Sequence, residues 1–428
     1  MRIKVILVVT IGKMLFQLPY SLLEENKKIE KSGEEKLPQD RIAIIVAKRT
    51  PIGAFQGAFT ELTAPQLGGY ALKAALAEAN LQGKERDIDE LFMGCVLQAG
   101  LGQNAARQVG HYAGLPYSVG ATTLNKVCGS GMKAIMLGYD LIRAGVRTIM
   151  AVGGMESMTN APYFLPKGRS GYRFGHGKVI DSMMRDGLED AYQQGCAMGI
   201  FAENTAEHLG FSREDQDQYV IRTTEKTLKA MREGWFKKEI VSVSTKGGDI
   251  MEDETPLKVK PEKIPLLKAA FREGGTVTAA SSSSIGDGAA ILILMSEKEA
   301  KKRNLPIRAY IVGHATHSQE PEWFTLAPVQ ALARLLKEMS WSKDDVDLYE
   351  INEAFAVVTM AAVKELKLDP SKVNLHGGAC ALGHPIGASG SRIVVTLLHA
   401  LETHHLKRGI ASLCIGGGEA TALAIERP

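Results

Sequence analysis

Two distant stretches of this chain end in the same way, and their partners keep the same order. Residues 148–152 form a short apolar run that leads into Gly153-Gly154-Met155-Glu156; residues 410–415 form another, leading into Gly416-Gly417-Gly418-Glu419. Upstream of each, residues 88–92 (Ile-Asp-Glu-Leu-Phe) match residues 346–350 (Val-Asp-Leu-Tyr-Glu), and each of these follows a helix start at Ala-Pro, Ala64-Pro65 and Ala327-Pro328. Likeness that keeps its order along the chain is the mark of an internal duplication. It predicts two related halves, about 41–158 and 306–428, in which strands alternate with helices as in an α/β fold with helices packed on a sheet.

With 428 residues the chain is long for one core, and the duplication leaves a middle to explain. Residues 159–275 are richer in charge and carry a helix predicted over 212–237, capped by Ser212 with Asp215 three positions on. The bases beyond it, Lys246, Lys258, Lys260, Lys263, Lys268 and Arg272, read singly as a solvated face and together as able to meet a phosphorylated ligand. Strand-like sequence then returns. The organisation expected is a first domain of 41–158 and 276–305, an inserted loop domain of 159–275, and a second domain of 306–428. Residues 1–40 differ from the rest. Their apolar run at 5–11 is too short to span a bilayer, and their many glutamates do not suit a mitochondrial presequence, so an extension, disordered or partly helical, is expected.

A formal charge of +3 excludes polyanion binding by bulk charge. Five cysteines without a C-x-x-C pair give neither a disulfide framework nor a zinc knuckle, which favours a reducing compartment and a cytoplasmic protein.

One of those cysteines sits where chemistry is expected. In residues 125–134, Asn-Lys-Val-Cys-Gly-Ser-Gly-Met-Lys-Ala, a strand predicted over 121–127 stops at Cys128, and a buried helix is predicted over 132–142. The sulfur then stands near a helix N-terminus, where unpaired N–H groups favour a thiolate. A buried inert cysteine is one alternative. A nucleotide turn is another, since Gly129, Gly131 and Ala134 fit G-x-G-x-x-A with Glu156 beyond, but Asn125 and Lys126 interrupt the strand before it. Three further strand ends carry polar groups: Asn352-Glu353-Ala354-Phe355, Gly383-His384-Pro385, and Cys414-Ile415-Gly416. Taken singly, Asn352 is a turn residue, His384 a core histidine and Cys414 a buried hydrophobe; together they lie where open α/β sheets place their sites.

These four motifs in this order resemble the thiolase family, over about 40–428, and within it the acetoacetyl-CoA thiolases, acetyl-CoA C-acetyltransferases. The resemblance implies duplicated βαβαβαββ halves packed as a five-layered α-β-α-β-α structure. It implies Cys128 as the nucleophile that becomes acylated, His384 as proton acceptor, Cys414 as the second acid/base, Asn352 as holder of an oxyanion-hole water, and Gly416 as an oxyanion-hole N–H donor. It places coenzyme A against Leu188, Met198, Phe271, Ala279, Ser283 and Phe355. Substrates would be acetyl-CoA, acetoacetyl-CoA and coenzyme A, with no metal and no tightly bound cofactor, in a homotetramer built as a dimer of dimers; neither nucleic acid nor membrane is an expected partner. The chain departs from common family patterns at Ser281-Ser282-Ser283, at Ala197, at His376 and at the extra thiol Cys380. Rival readings are a longer-chain 3-ketoacyl-CoA thiolase, a decarboxylating ketoacyl synthase, which would lack the second active cysteine, and a non-catalytic acyl-CoA binding protein.

Overall fold

The computed structural model describes residues 40–428, so the extension expected over 1–40 lies, apart from Asp40, outside the described residues. In chain order the first half contributes β1 (Ile42–Arg49), α1 (Ala64–Glu78), β2 (Glu90–Gly94), α2 (Ala105–Ala113), β3 (Gly120–Leu124), α3 (Ser130–Arg143) and β4 (Ile149–Ser157). The insertion follows with α4 (Met198–Leu209) and α5 (Arg213–Arg232), and β5 (Gly286–Ser296) completes the first half. The second half has β6 (Ala309–Ser318), α6 (Ala327–Met339), β7 (Leu348–Ile351), α7 (Ala356–Leu366), α8 (Ile386–Thr403), β8 (Arg408–Ile415) and β9 (Glu419–Glu426).

The duplication read from the sequence is a duplication of topology. The first half-sheet runs β1-β5-β4-β2-β3 and the second β6-β9-β8-β7, with Tyr349 of β7 bridging Val373 in parallel where β3 stands in the first half. Orientation repeats as well: β2 lies parallel to β4, as β7 does to β8, and the remaining neighbours in each half are antiparallel except the parallel β2–β3 pair. The half-sheets meet edge to edge through Ile42, Ala43 and Ile44 opposite Ile311, Tyr310 and Ala309.

Alternation along the strands builds the layers. In β5, Leu292 and Leu294 face inward, while Ile291, Ile293 and Met295 face outward onto α1 and α2. The inner faces of both half-sheets close on α3 and α8, and α6 covers the outer face of the second half with α7 beside it. The result is the five-layered α-β-α-β-α fold that the motifs imply. Helix α8 sits in the middle layer and is buried from Ile386 to Leu401, so a largely apolar sequence is what its position demands.

The insertion is held to the first half by a buried ion cluster at the end of β1. Arg49 donates from Nε to Glu239 at 2.6 Å and from Nη1 and Nη2 to Asp253 at 2.7 and 2.9 Å, all three side chains being fully buried. Removing one member of such a cluster strands a buried charge and costs about 3–5 kcal/mol. Helix α5 begins at its Ser212 cap in a capping box with Asp215, but stops at Arg232 rather than 237, because Gly234 takes a φ of +70° and turns the chain. Several bases of the insertion have surface partners: Lys246 with Glu61 and Lys258 with Glu254, both at 2.6 Å, and Arg272 with Glu207 at 3.2 Å. Among the described residues no helix is long and apolar enough to cross a membrane.

Candidate active site

The loop before α3 is tightly wound. Strand β3 ends at Leu124, three residues short of the sequence expectation, because Asn125 Oδ1 accepts from the Val127 N–H at 2.9 Å and folds the chain into an Asx turn. Ser130 Oγ accepts from the Lys126 N–H at 2.8 Å and donates to the Val127 carbonyl at 2.6 Å. Val127 is thereby held at φ +47°, a left-handed conformation that costs a β-branched residue about 1–3 kcal/mol and that aims Cys128. The glycines here serve contact between the halves rather than a phosphate. A Cβ at Gly129 would stand 2.3 Å from Ile415 Cδ1, and one at Gly131 2.8 Å from the Ser391 nitrogen in α8, which removes the nucleotide-turn alternative.

His384 sits in the turn that enters α8. Its Nδ1 lies 2.5 Å from Ser389 Oγ, and that hydroxyl donates to the Pro385 carbonyl at 2.9 Å. A hydroxyl has one proton to give, so Ser389 accepts from Nδ1–H and Nε2 keeps its lone pair. Nε2 is buried and has no hydrogen-bond partner in the protein. Burial, helped by the Arg392 cation, pushes the imidazole down to about 3, leaving it neutral and able to take a proton.

Cys128 corrects an expectation. The helix terminus does not make a thiolate here: burial pushes the thiol up to about 11, with Glu156 adding to it, and the Gly416 and Cys128 N–H groups pull the other way without prevailing. Burial, together with the neighbouring Cys128, also holds Cys414 well above the ordinary thiol range. Both sulfurs rest as thiols, so a base must act during the reaction.

Cys128, His384 and Gly416 share one cavity of about 650 Å³. Leu188, Met198, Phe271, Ala279, Ser283 and Phe355 line it too. The rings of Phe271 and Phe355 meet edge to face at 5.9 Å, and Ser283 Oγ donates to the Ala354 carbonyl at 3.0 Å. Ser281 at the departing Ser-Ser-Ser run closes its own turn by accepting from the Thr278 N–H at 2.8 Å. Cys414 and Asn352 do not line the cavity. Cys414 lies in the apolar cluster that includes Phe355 and Phe324 of the wall, and Asn352 lies behind His384, with Nδ2 3.5 Å from Nδ1. A Cβ at Gly416 would meet only Met198 and Val127 at 3.5 Å and beyond, so the glycine there keeps the cavity open. Sequence reasoning missed Phe55, Met184 and Phe324 in the lining, and Ser389 and Arg392 behind it. Ser389 and Arg392 left a readable signal, polar side chains five and eight residues after His384 inside a mostly apolar helix.

Residues 42–298 match the family described as thiolase, N-terminal domain, and residues 305–427 match thiolase, C-terminal domain. The chain belongs to the thiolase family of acyltransferases. This thiolase is 46% identical to the acetyl-CoA acetyltransferase of Saccharomyces cerevisiae over 90% of its own length and 99% of the yeast protein's, and 44% identical to that of Pseudomonas aeruginosa over 90% and 99%. Among solved structures, Acat5 thiolase from Ascaris suum in complex with coenzyme A superposes with a TM-score of 0.86 at 43% identity, covering 91% of this chain and all of that one. Bacillus anthracis acetyl-CoA acetyltransferase does so with a TM-score of 0.87 at 38% identity, covering 91% and 99%.

The protonated resting state of this thiolase is open to measurement. Alkylation of Cys128 by iodoacetamide in the free enzyme should be slow at neutral pH and rise about tenfold per pH unit up to about 11, followed by mass spectrometry of the Cys128 peptide. A plateau reached by pH 8 would mean that the helix terminus prevails after all.

Proposed function

We propose that this thiolase condenses two acetyl-CoA to acetoacetyl-CoA and coenzyme A, and runs the reverse thiolysis, in a ping-pong reaction through acetyl-Cys128. The observation that carries the reading is the meeting of a thiol, a neutral imidazole nitrogen and a backbone N–H donor in one apolar cavity. As the Cys128 sulfur attacks the thioester carbonyl, its proton passes to His384 Nε2, and the resulting tetrahedral oxyanion is received by the N–H groups of Cys128 and Gly416. Collapse expels the coenzyme A thiolate, which takes the proton from His384.

A second acetyl-CoA then loses a methyl proton to Cys414, whose own thiol proton has passed to the neutral His384 Nε2. Acetylation leaves Cys128 without an ionisable proton, so no like charge can arise beside the Cys414 thiolate as it forms. The enolate oxygen is met by the protonated His384 Nε2–H and a water held by Asn352; its carbon attacks the acetyl group on Cys128 to form the new carbon–carbon bond, and the freed Cys128 sulfur takes its proton back from His384. The pantetheine arm is assigned to Met198, Leu188, Ala279 and Ser283, with Phe271 and Phe355 toward the acyl end.

The test is a thiolysis profile over 3-ketoacyl chain lengths, with mass spectrometry of the Cys128 peptide in the same samples. Acetoacetyl-CoA should be turned over fastest, with an acetyl group on Cys128. Faster turnover of longer chains would replace the reading with a longer-chain thiolase, and a bare Cys128 with no turnover would leave an acyl-CoA binding protein.

A further inference from the structure

Helix α8 carries a buried cation two turns beyond its entry. Arg392 is buried in the middle layer, and its Nη2 lies 3.3 Å from Asn352 Oδ1. Its nearest carboxylate, Glu350 Oε2, is 3.8 Å from Nη1, and neither Nη1 nor Nε has a hydrogen-bond partner in the protein. Burying a guanidinium with so few of its donors used is costly.

A guanidinium only donates, so it accepts one orientation of an amide: Oδ1 toward Arg392 and Nδ2 away from it. Away from it is His384, whose Nδ1 is 3.5 Å from Asn352 Nδ2. Nδ1 gives its proton to Ser389 and cannot accept from Nδ2, so the amide protons stay free for a water; without the cation the amide could turn over and spend Oδ1 on Nδ1–H instead. The other charged groups around Arg392 are Glu350, Glu239, Glu353 and Arg49. Of the three carboxylates, Glu239 already accepts from Arg49, and Glu353 accepts from Tyr219, Thr223, Asn374 and the Cys380 N–H. Glu350 is pushed up to about 8 by burial, with Arg392 opposing, so it offsets the guanidinium charge only in part at neutral pH.

We propose that Arg392 is a positioning residue for carbon–carbon bond formation: it fixes the Asn352 amide with its NH₂ on the His384 side, where it can hold a water for the enolate oxygen. The inference rests on the condensation reaction proposed above. It assigns Arg392 to the enolate half of the cycle and not to acylation of Cys128, whose oxyanion donors are backbone groups of other elements.

Arg392→Met, Asn352→Ala and the double variant are compared in the full-length protein at pH 8. Arg392→Met should lower the condensation kcat about thirtyfold, less than the 10²- to 10³-fold typical of losing a donor itself, with KM for acetyl-CoA within about twofold. Acetylation of Cys128 by acetyl-CoA, followed by mass spectrometry, should slow by less than about threefold. In the Asn352→Ala background the same substitution should cost almost nothing further, because the amide through which it acts is gone. The acid limb of the condensation pH profile should move to higher pH in Arg392→Met, since a cation that disfavours the imidazolium has been removed, and Arg392→Lys should restore that limb without restoring the rate. If Arg392→Met does not fold, the pair Glu350→Gln with Arg392→Met removes both charges and is read the same way. An equal loss in the Asn352→Ala background, or equal slowing of acetylation and condensation, overturns the proposal. A wild-type enzyme that neither acetylates Cys128 nor condenses acetyl-CoA would instead overturn the functional reading, before any variant is made.

Discussion

Cys128→Ala is expected to lower condensation and thiolysis by on the order of 10⁴-fold or more, while coenzyme A binding stays within about twofold. The two effects separate because the sulfur contributes little of the cavity surface, whereas the apolar walls around Met198, Phe271 and Phe355 are untouched. Loss of the acyl adduct must accompany loss of turnover. A Cys128→Ala enzyme that still exchanges coenzyme A between acetyl-CoA and labelled coenzyme A would show that the acyl group never resides on this sulfur. Cys128→Ser should be nearly as poor. A serine hydroxyl is far less acidic than even a thiol raised to about 11, and His384, held neutral by a pKa of about 3, is a weak base that cannot supply the difference.

That pairing of a protonated thiol with a weakly basic imidazole is the part of the site the sequence did not disclose. The duplication was legible, because Gly-Gly-x-Glu after a strand and Ala-Pro before a helix are local signals that repeat in order. The positions of the cavity residues were legible through motif resemblance, and all six assigned to coenzyme A do line one cavity with Cys128. Electrostatics was not. A helix N-terminus is visible in the sequence as a strand, a glycine turn and an apolar run, and it argues for a thiolate. Its effect is set against the loss of water around the sulfur, and that loss depends on Ile415, Met198 and α8 arriving from elsewhere in the chain. The end of β3 was misplaced for a related reason: the Asx turn at Asn125 and the left-handed Val127 override an otherwise strand-like run. Ser389 and Arg392 were passed over because a polar residue inside a buried helix acquires meaning only once its neighbours across the layer are known.

The second large effect concerns Cys414, and it distinguishes the two halves of the cycle. Cys414→Ala should leave acetylation of Cys128 by acetyl-CoA within about threefold of normal and reduce condensation by on the order of 10³-fold, the usual range for losing a positioned base. Cys414 lies on the strand just before the glycine whose N–H faces Cys128, so its replacement by a smaller residue leaves that donor in place on the backbone. The cavity left by the lost sulfur is small and sits in an apolar cluster, so the fold should tolerate it at about 1–2 kcal/mol. Accumulation of acetyl-Cys128 with no acetoacetyl-CoA formed is therefore the expected state of the variant. Deuterium from solvent should fail to enter the methyl group of acetyl-CoA, because no other sulfur is placed to remove its proton. Condensation that survives in Cys414→Ala would move the reaction toward a decarboxylating synthase, in which loss of carbon dioxide, rather than proton removal, generates the attacking carbon. The variant thus tests the second step without disturbing the first, and the thermal unfolding midpoint of the same preparation separates a chemical loss from a structural one.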